Sequence, residues 1–303
     1  MKHPEIDLAL TIGAPPRLPR RAFLGRAGAL GLGAAGALAL GNLRTARAQQ
    51  DSSAERIEER EQAADTVEEI FTAALIAEDL ATVFYYNGLT GAVIQDPSLA
   101  GPGGSATGVT SSGNAGNVNY LQAALTEEIG HADLFRSLLN YKQPSQDPYQ
   151  NFYFPAGTFD SLAPFLKTLN ALENAFIGAY LNAIQEFAVM SAQRRRSDGG
   201  GDSGDAKHSP EQLDYFAKVA ASILGVEAEH RVLGRVIGNN NPANNLGYEQ
   251  TDGLNAVYNG PNSAVAALTP FLSSDSGPGY SLAAALENQG RVSLPVTGGP
   301  PAY

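Results

Sequence analysis

The stretch "LTEEIGHADLF", residues 125–135, sets Glu128 and His131 three positions apart in an otherwise apolar helical pattern. Residues three apart share a helix face, so the two side chains can point at one object. Such groups are costly to bury: an unpartnered polar group loses about 2–7 kcal/mol on leaving water, and a bare ion far more. The pair recurs in "GVEAEHRVLG" as Glu227 and His230. The chain has four histidines, and two of them follow a glutamate by three positions, so the spacing is informative.

Two more carboxylates sit on faces that otherwise read as core. Glu78 shares its face with Phe71, Ala74, Leu75, Ala81, Thr82 and Tyr85. Glu173 shares its face with Leu166, Leu169, Asn170, Phe176, Ile177 and Tyr180. The chain order is then Glu, Glu-x-x-His, Glu, Glu-x-x-His, with Glu78, Glu128, Glu173 and Glu227 separated by 50, 45 and 54 positions. Four glutamates and two histidines of this kind form the ligand set of a dinuclear carboxylate site inside a bundle. Charge supplies the reason: two divalent cations neutralise four carboxylates, so the ions can occupy a low-dielectric interior. Mixed oxygen and nitrogen donors suit iron or manganese, with zinc also compatible. The donors alone leave iron and manganese both open.

Neighbouring polar residues receive other readings. Glu127 and Glu229 are each rotated by about 100° from the adjacent residue and read as solvated or rim charges. Asp79 and Asp133 are candidates to orient a ligand histidine. Tyr85 and Tyr180, two turns beyond Glu78 and Glu173, read as core packing, with a hydrogen-bonding or radical role as the alternative.

Four amphipathic helices must position these groups. Apolar periodicity predicts them over about 65–89, 118–141, 160–191 and 210–238. Asp160 is the expected N-cap of the third, with Pro164 in its first turn. Ser209-Pro210-Glu211 is a helix start with cap, proline and acid in order. A Gly/Ser/Thr/Asn loop spans 101–117, and "RRRSDGGGDSGDAKH" reads as a charged flexible linker. The long connector after the second helix permits either a neighbouring or a crossover third helix. No strand pattern is convincing. The segment 239–303 is rich in Asn, Gly, Pro and Ser, with short helices expected near 263–272 and 281–288. The fold class is all-α: a four-helix bundle with a mostly irregular C-terminal tail.

Composition narrows the chemistry further. The 303 residues contain no cysteine, which excludes disulfides, iron–sulfur clusters and Cys-type zinc. A net charge of −11 argues against nucleic acid as a partner.

The first 48 residues read as an address. Arg20-Arg21 precede Ala22-Phe23-Leu24, a weakly apolar Ala/Gly/Leu run follows, and Ala46-Arg47-Ala48 is a small-x-small cleavage signal. This resembles a twin-arginine export signal, although Pro19 and Gly25 depart from its usual pattern. An N-terminal membrane anchor is the alternative, but the run falls short of the about 20 apolar residues of a span. No membrane span is expected in the mature chain. Cleavage after Ala48 would remove seven Lys/Arg and two Asp/Glu, taking the net charge from −11 to −16. The expected organisation is a signal peptide at 1–48, a bundle at 49–238 and a C-terminal extension at 239–303.

The stretches "IAEDLATVFYYNGL", "EEIGHADLFRSLL", "LENAFIGAYLNAI" and "ILGVEAEHRVLGR" resemble the ferritin-like superfamily, in particular its exported and desiccation-related branch. The resemblance covers about residues 65–238. It implies Glu78 and Glu173 as terminal ligands, Glu128 and Glu227 as bridges, and His131 and His230 as the nitrogen ligands. It implies a ferritin-like bundle, and the twin-arginine resemblance of residues 1–48 implies export of an already folded protein to the periplasm or the cell exterior. Three functions follow as expectations: a di-iron protein oxidising Fe(II) with oxygen or peroxide, a dimanganese catalase-like protein, or a non-enzymatic desiccation and stress protein whose metal only staples the bundle.

Overall fold

The computed structural model describes residues 65–197, 207–240, 243 and 264–294. The proposed signal peptide, the polar segment 49–64, most of the charged linker and residues 295–303 lie outside the described residues. Four long helices dominate: α1 (Val67–Thr90), α2 (Ala115–Leu138), α3 (Leu162–Ser197) and α4 (Pro210–Ile237).

Local chemistry sets their starts. Thr66 caps α1 and exchanges hydrogen bonds with Glu69 in a capping box. Asn114 caps α2 through Asn117 N–H. Ser209 caps α4 in a second capping box with Gln212, and Pro210 occupies the first turn, as the sequence predicts. Helix α3 departs from expectation at both ends. It begins at Leu162, so Ser161 rather than Asp160 stands before it. It also runs on through Arg194, Arg195 and Arg196, where three cations complement the carbonyl end of the helix dipole.

Packing sets the topology. α1 packs mainly on α2, and α3 on α4. The core consists of two apolar clusters. One gathers Phe84, Leu121, Leu125, Phe165 and Leu169. The other gathers Phe71, Phe135, Phe187, Phe216 and Ile223. α2 and α3 both pass from the first cluster to the second, whereas α1 and α4 pass the other way. α2 and α3 are therefore parallel, and the connector between them must return along the bundle. A helix of 24 residues such as α2 rises about 36 Å at 1.5 Å per residue, a distance well within the connector's reach. This is a ferritin-like bundle with one crossover.

A small sheet holds that crossover in place. β1 (Asn151–Tyr153) in the connector pairs antiparallel with β2 (Gly279–Ser281) from the C-terminal extension, correcting the expectation of no strands. Beside it, Tyr280 packs edge-on to Phe159 with ring centroids 4.9 Å apart. The expected short helices are present as α5 (Ala264–Leu268), continued by a 3-10 turn over Thr269–Leu272, and α6 (Leu282–Asn288), capped by Ser281. Leu268, Phe271, Leu282 and Ala285 join the first apolar cluster, so the extension contributes to the core. Among the described residues no helix is long and apolar enough to cross a membrane.

Candidate metal centre

Between the two apolar clusters lies a polar layer. The structure brings Glu78, Glu128, His131, Glu173, Glu227 and His230 together there, one or two from each helix. They form two groups: Glu78, Glu128, His131 and Glu227, and Glu128, Glu173, Glu227 and His230. Within each group one donor atom per residue lies within 4.8 Å of all the others. Glu128 and Glu227 belong to both groups and are fully buried. The i,i+3 spacing of each Glu-His pair turns both residues of the pair inward from one helix face.

Donor spacing suits small divalent ions. His131 Nδ1 lies 3.3 Å from Glu78 Oε2, 3.6 Å from Glu227 Oε1 and 3.7 Å from Glu128 Oε2. His230 Nδ1 lies 3.0 Å from Glu128 Oε1 and 3.5 Å from Glu227 Oε2. Metal–ligand bonds of about 2.0–2.2 Å meeting at about 90–110° place donors about 2.9–3.6 Å apart. Both oxygens of Glu128, both of Glu227, Glu173 Oε2 and His230 Nδ1 are buried and lack an aligned hydrogen bond. Orphaned buried acceptors are rare, and a buried carboxylate cluster calls for compensating positive charge, from protons or from cations. The residues therefore fit a pair of divalent ions.

Electrostatics agree. Burial, reinforced by the Glu78 charge, raises the Glu128 carboxyl above its ordinary range. Burial and Glu128 do the same to Glu227, and burial with the Glu227 charge pushes Glu173 well up. Burial opposes the His131 imidazolium, but Glu78 and Glu128 outweigh it and push it up to about 11. His230 is likewise pushed well up, against burial, by Glu127, Glu128 and Glu227. Protons and metal ions compete for these same lone pairs.

Three contacts support these ligands, and in two of them the tyrosines take the hydrogen-bonding role that was the alternative to core packing. Tyr85, on α1, donates to Glu173 Oε1 at 2.5 Å, and Tyr180, on α3, donates to Glu78 Oε1. Each tyrosine thus holds the carboxylate that lies two turns along from the other tyrosine. Burial and the facing carboxylate keep both phenols protonated, as donors require. Glu127, expected as a rim charge, reaches His230 Nε2 at 2.9 Å, a contact that lowers its own carboxyl. Glu229 is exposed, as expected.

Asp79 and Asp133 do not orient a histidine. Arg136 gathers them instead: its Nη2 donates to Asp79, its Nη1 to Asp133 at 2.8 Å and its Nε to Asp147 at 2.7 Å. The cluster ties α1, α2 and the connector together beside Glu78. Thr126 Oγ1 on α2 donates to Leu294 O at 2.9 Å, anchoring the extension at the position before Glu127.

The fold and site define a class: a four-helix bundle with a buried Glu/His layer that could hold metal. Residues 66–194 match the family model described as "Ferritin-like domain", which supports placement in the ferritin-like superfamily. The match ends before α4, so Glu227 and His230 join the site on geometry alone. No curated protein and no solved structure matches the chain.

Proposed function

We propose that this is an exported ferritin-like protein whose layer of four glutamates and two histidines holds two metal ions, iron first, and oxidises Fe(II). The observation that carries the reading is the pair of donor groups sharing Glu128 and Glu227. Iron held there would supply one-electron chemistry between Fe(II) and Fe(III), with dioxygen or peroxide accepting the electrons. The chain's own residues do the rest. Glu128 and Glu227 face both positions. Tyr85 and Tyr180 fix one oxygen of each terminal carboxylate. The apolar clusters on either side exclude bulk water from the layer, which strengthens every interaction within it.

Elemental analysis of the protein from its native location should find about two iron atoms per chain, as the ligand set requires. Added Fe(II) should then be oxidised in an oxygen- or peroxide-dependent way. Two manganese atoms with turnover of peroxide would replace this reading by the dimanganese one. A folded protein free of metal would replace it by the stress-protein one.

Export is supported by Arg20-Arg21 and by Ala46-Arg47-Ala48. Replacing Arg20 and Arg21 with lysine should trap the protein in the cytoplasm. Unchanged export on cell fractionation would point to another route.

A further inference from the structure

The two donor groups are unequal. Glu78 and His131 already satisfy each other: Glu78 Oε1 accepts from Tyr180, and Glu78 Oε2 lies at hydrogen-bonding distance from His131 Nδ1. An ion entering there must displace the His131 contact. In the other group Glu173 Oε2 is buried without an aligned hydrogen bond, and His230 Nδ1 faces Glu128 Oε1 at 3.0 Å.

The histidines differ in the same sense. The His230 side chain is 4% exposed and the His131 side chain 15%. Glu127 sits 2.9 Å from His230 Nε2. With that nitrogen donating to a carboxylate, Nδ1 keeps its lone pair for a ligand, and the ring is fixed and more basic. Glu127 stands directly before Glu128. The residue in the same place before Glu227 is Val226, which has no group to offer His131.

We infer that the position formed by Glu128, Glu173, Glu227 and His230 is the tighter of the two and fills first, with Glu127 as the positioning residue responsible. The inference rests on the metal reading above. Each position must give up an imidazole–carboxylate contact, but the ring held by Glu127 loses little further freedom on binding, whereas the more exposed His131 ring must be ordered. The ion beside His131 is then the one that exchanges with solvent, and the ion beside His230 is resident.

The test is an anaerobic titration of the metal-free full chain with Co(II), read by calorimetry and by visible absorption. Wild type should show two steps, with one ion per chain surviving dialysis. Glu127→Ala should weaken the first step by about 10–100-fold and leave the second in place. Glu127→Gln, whose amide oxygen still accepts from Nε2, should fall between the two. His131→Ala should keep the first step and lose the second. Glu127 is 46% exposed, so its replacement does not threaten folding, and circular dichroism checks this. Two equal ions in wild type, wild-type steps in Glu127→Ala, or loss of the first step in His131→Ala would each overturn the inference while leaving the metal reading intact. Absence of any Co(II) binding would overturn both.

Discussion

Glu128→Ala should cost the proposed metal layer at least one ion while the four helices persist. Glu128 offers a carboxylate to both donor groups, so its loss removes a ligand and a negative charge from each position. At least one ion should be lost, by elemental analysis, with the helical circular dichroism retained. Stability supplies a second readout. An ion that binds only the folded state stabilises it by about 4 kcal/mol at a free concentration of 1,000 times its Kd. Wild type should therefore melt markedly higher with metal than without, and the variant should lose most of that gain. Full occupancy in Glu128→Ala would rule out the bridging role.

The second large effect is expected at Arg136. Its side chain is 6% exposed, and it faces Asp79 at 1% and Asp147 at 0%. Burial, reinforced by the Asp147 charge, already pushes the Asp79 carboxyl well up against the pull of Arg136. Removing one partner of a buried ion pair leaves the others uncompensated and costs about 3–5 kcal/mol. Arg136→Ala should lower the stability of the metal-free protein by that amount in denaturant unfolding. Adding Asp79→Asn and Asp147→Asn to an Arg136→Met background should recover much of the loss, because an apolar or neutral replacement of a buried charge cluster is often neutral. A loss below about 1 kcal/mol, the scale of exposed pairs, would show that the cluster behaves as a surface one.

Local signals carried much of this protein. Capping residues and apolar periodicity are short-range, so the start of α4 at Ser209-Pro210 and the short helix over Leu282–Asn288 were legible in sequence. The six residues that the fold gathers into the polar layer stood out for the same reason, since i,i+3 spacing and a carboxylate on an apolar face are both properties of a single helix. The hydrogen bonds around them were not. Tyr85 meets Glu173 across 88 positions, Tyr180 meets Glu78 across 102, and Glu127 meets His230 across 103. No helix face contains both partners of such a contact. A tyrosine in a core stripe looks the same whether its hydroxyl is idle or bound. Asp79 and Asp133 misled for a related reason: an acid beside a ligand can serve the ligand or a nearby arginine, and only the position of Arg136 decides.

What the sequence determined by itself was the inventory: four helices, their faces, and which faces carry buried carboxylate and imidazole. The tertiary structure decided their mutual arrangement. A connector long enough for either course leaves the direction of α3 open, and burial of two apolar clusters on either side of the polar layer settles it in favour of the crossover. That arrangement brings α1 against α3 so that each tyrosine reaches the opposite carboxylate. It also sets Glu127 on His230 while Val226 offers His131 nothing. Periodicity is a property of one helix, whereas the different surroundings of the two donor groups are a property of the packing between helices.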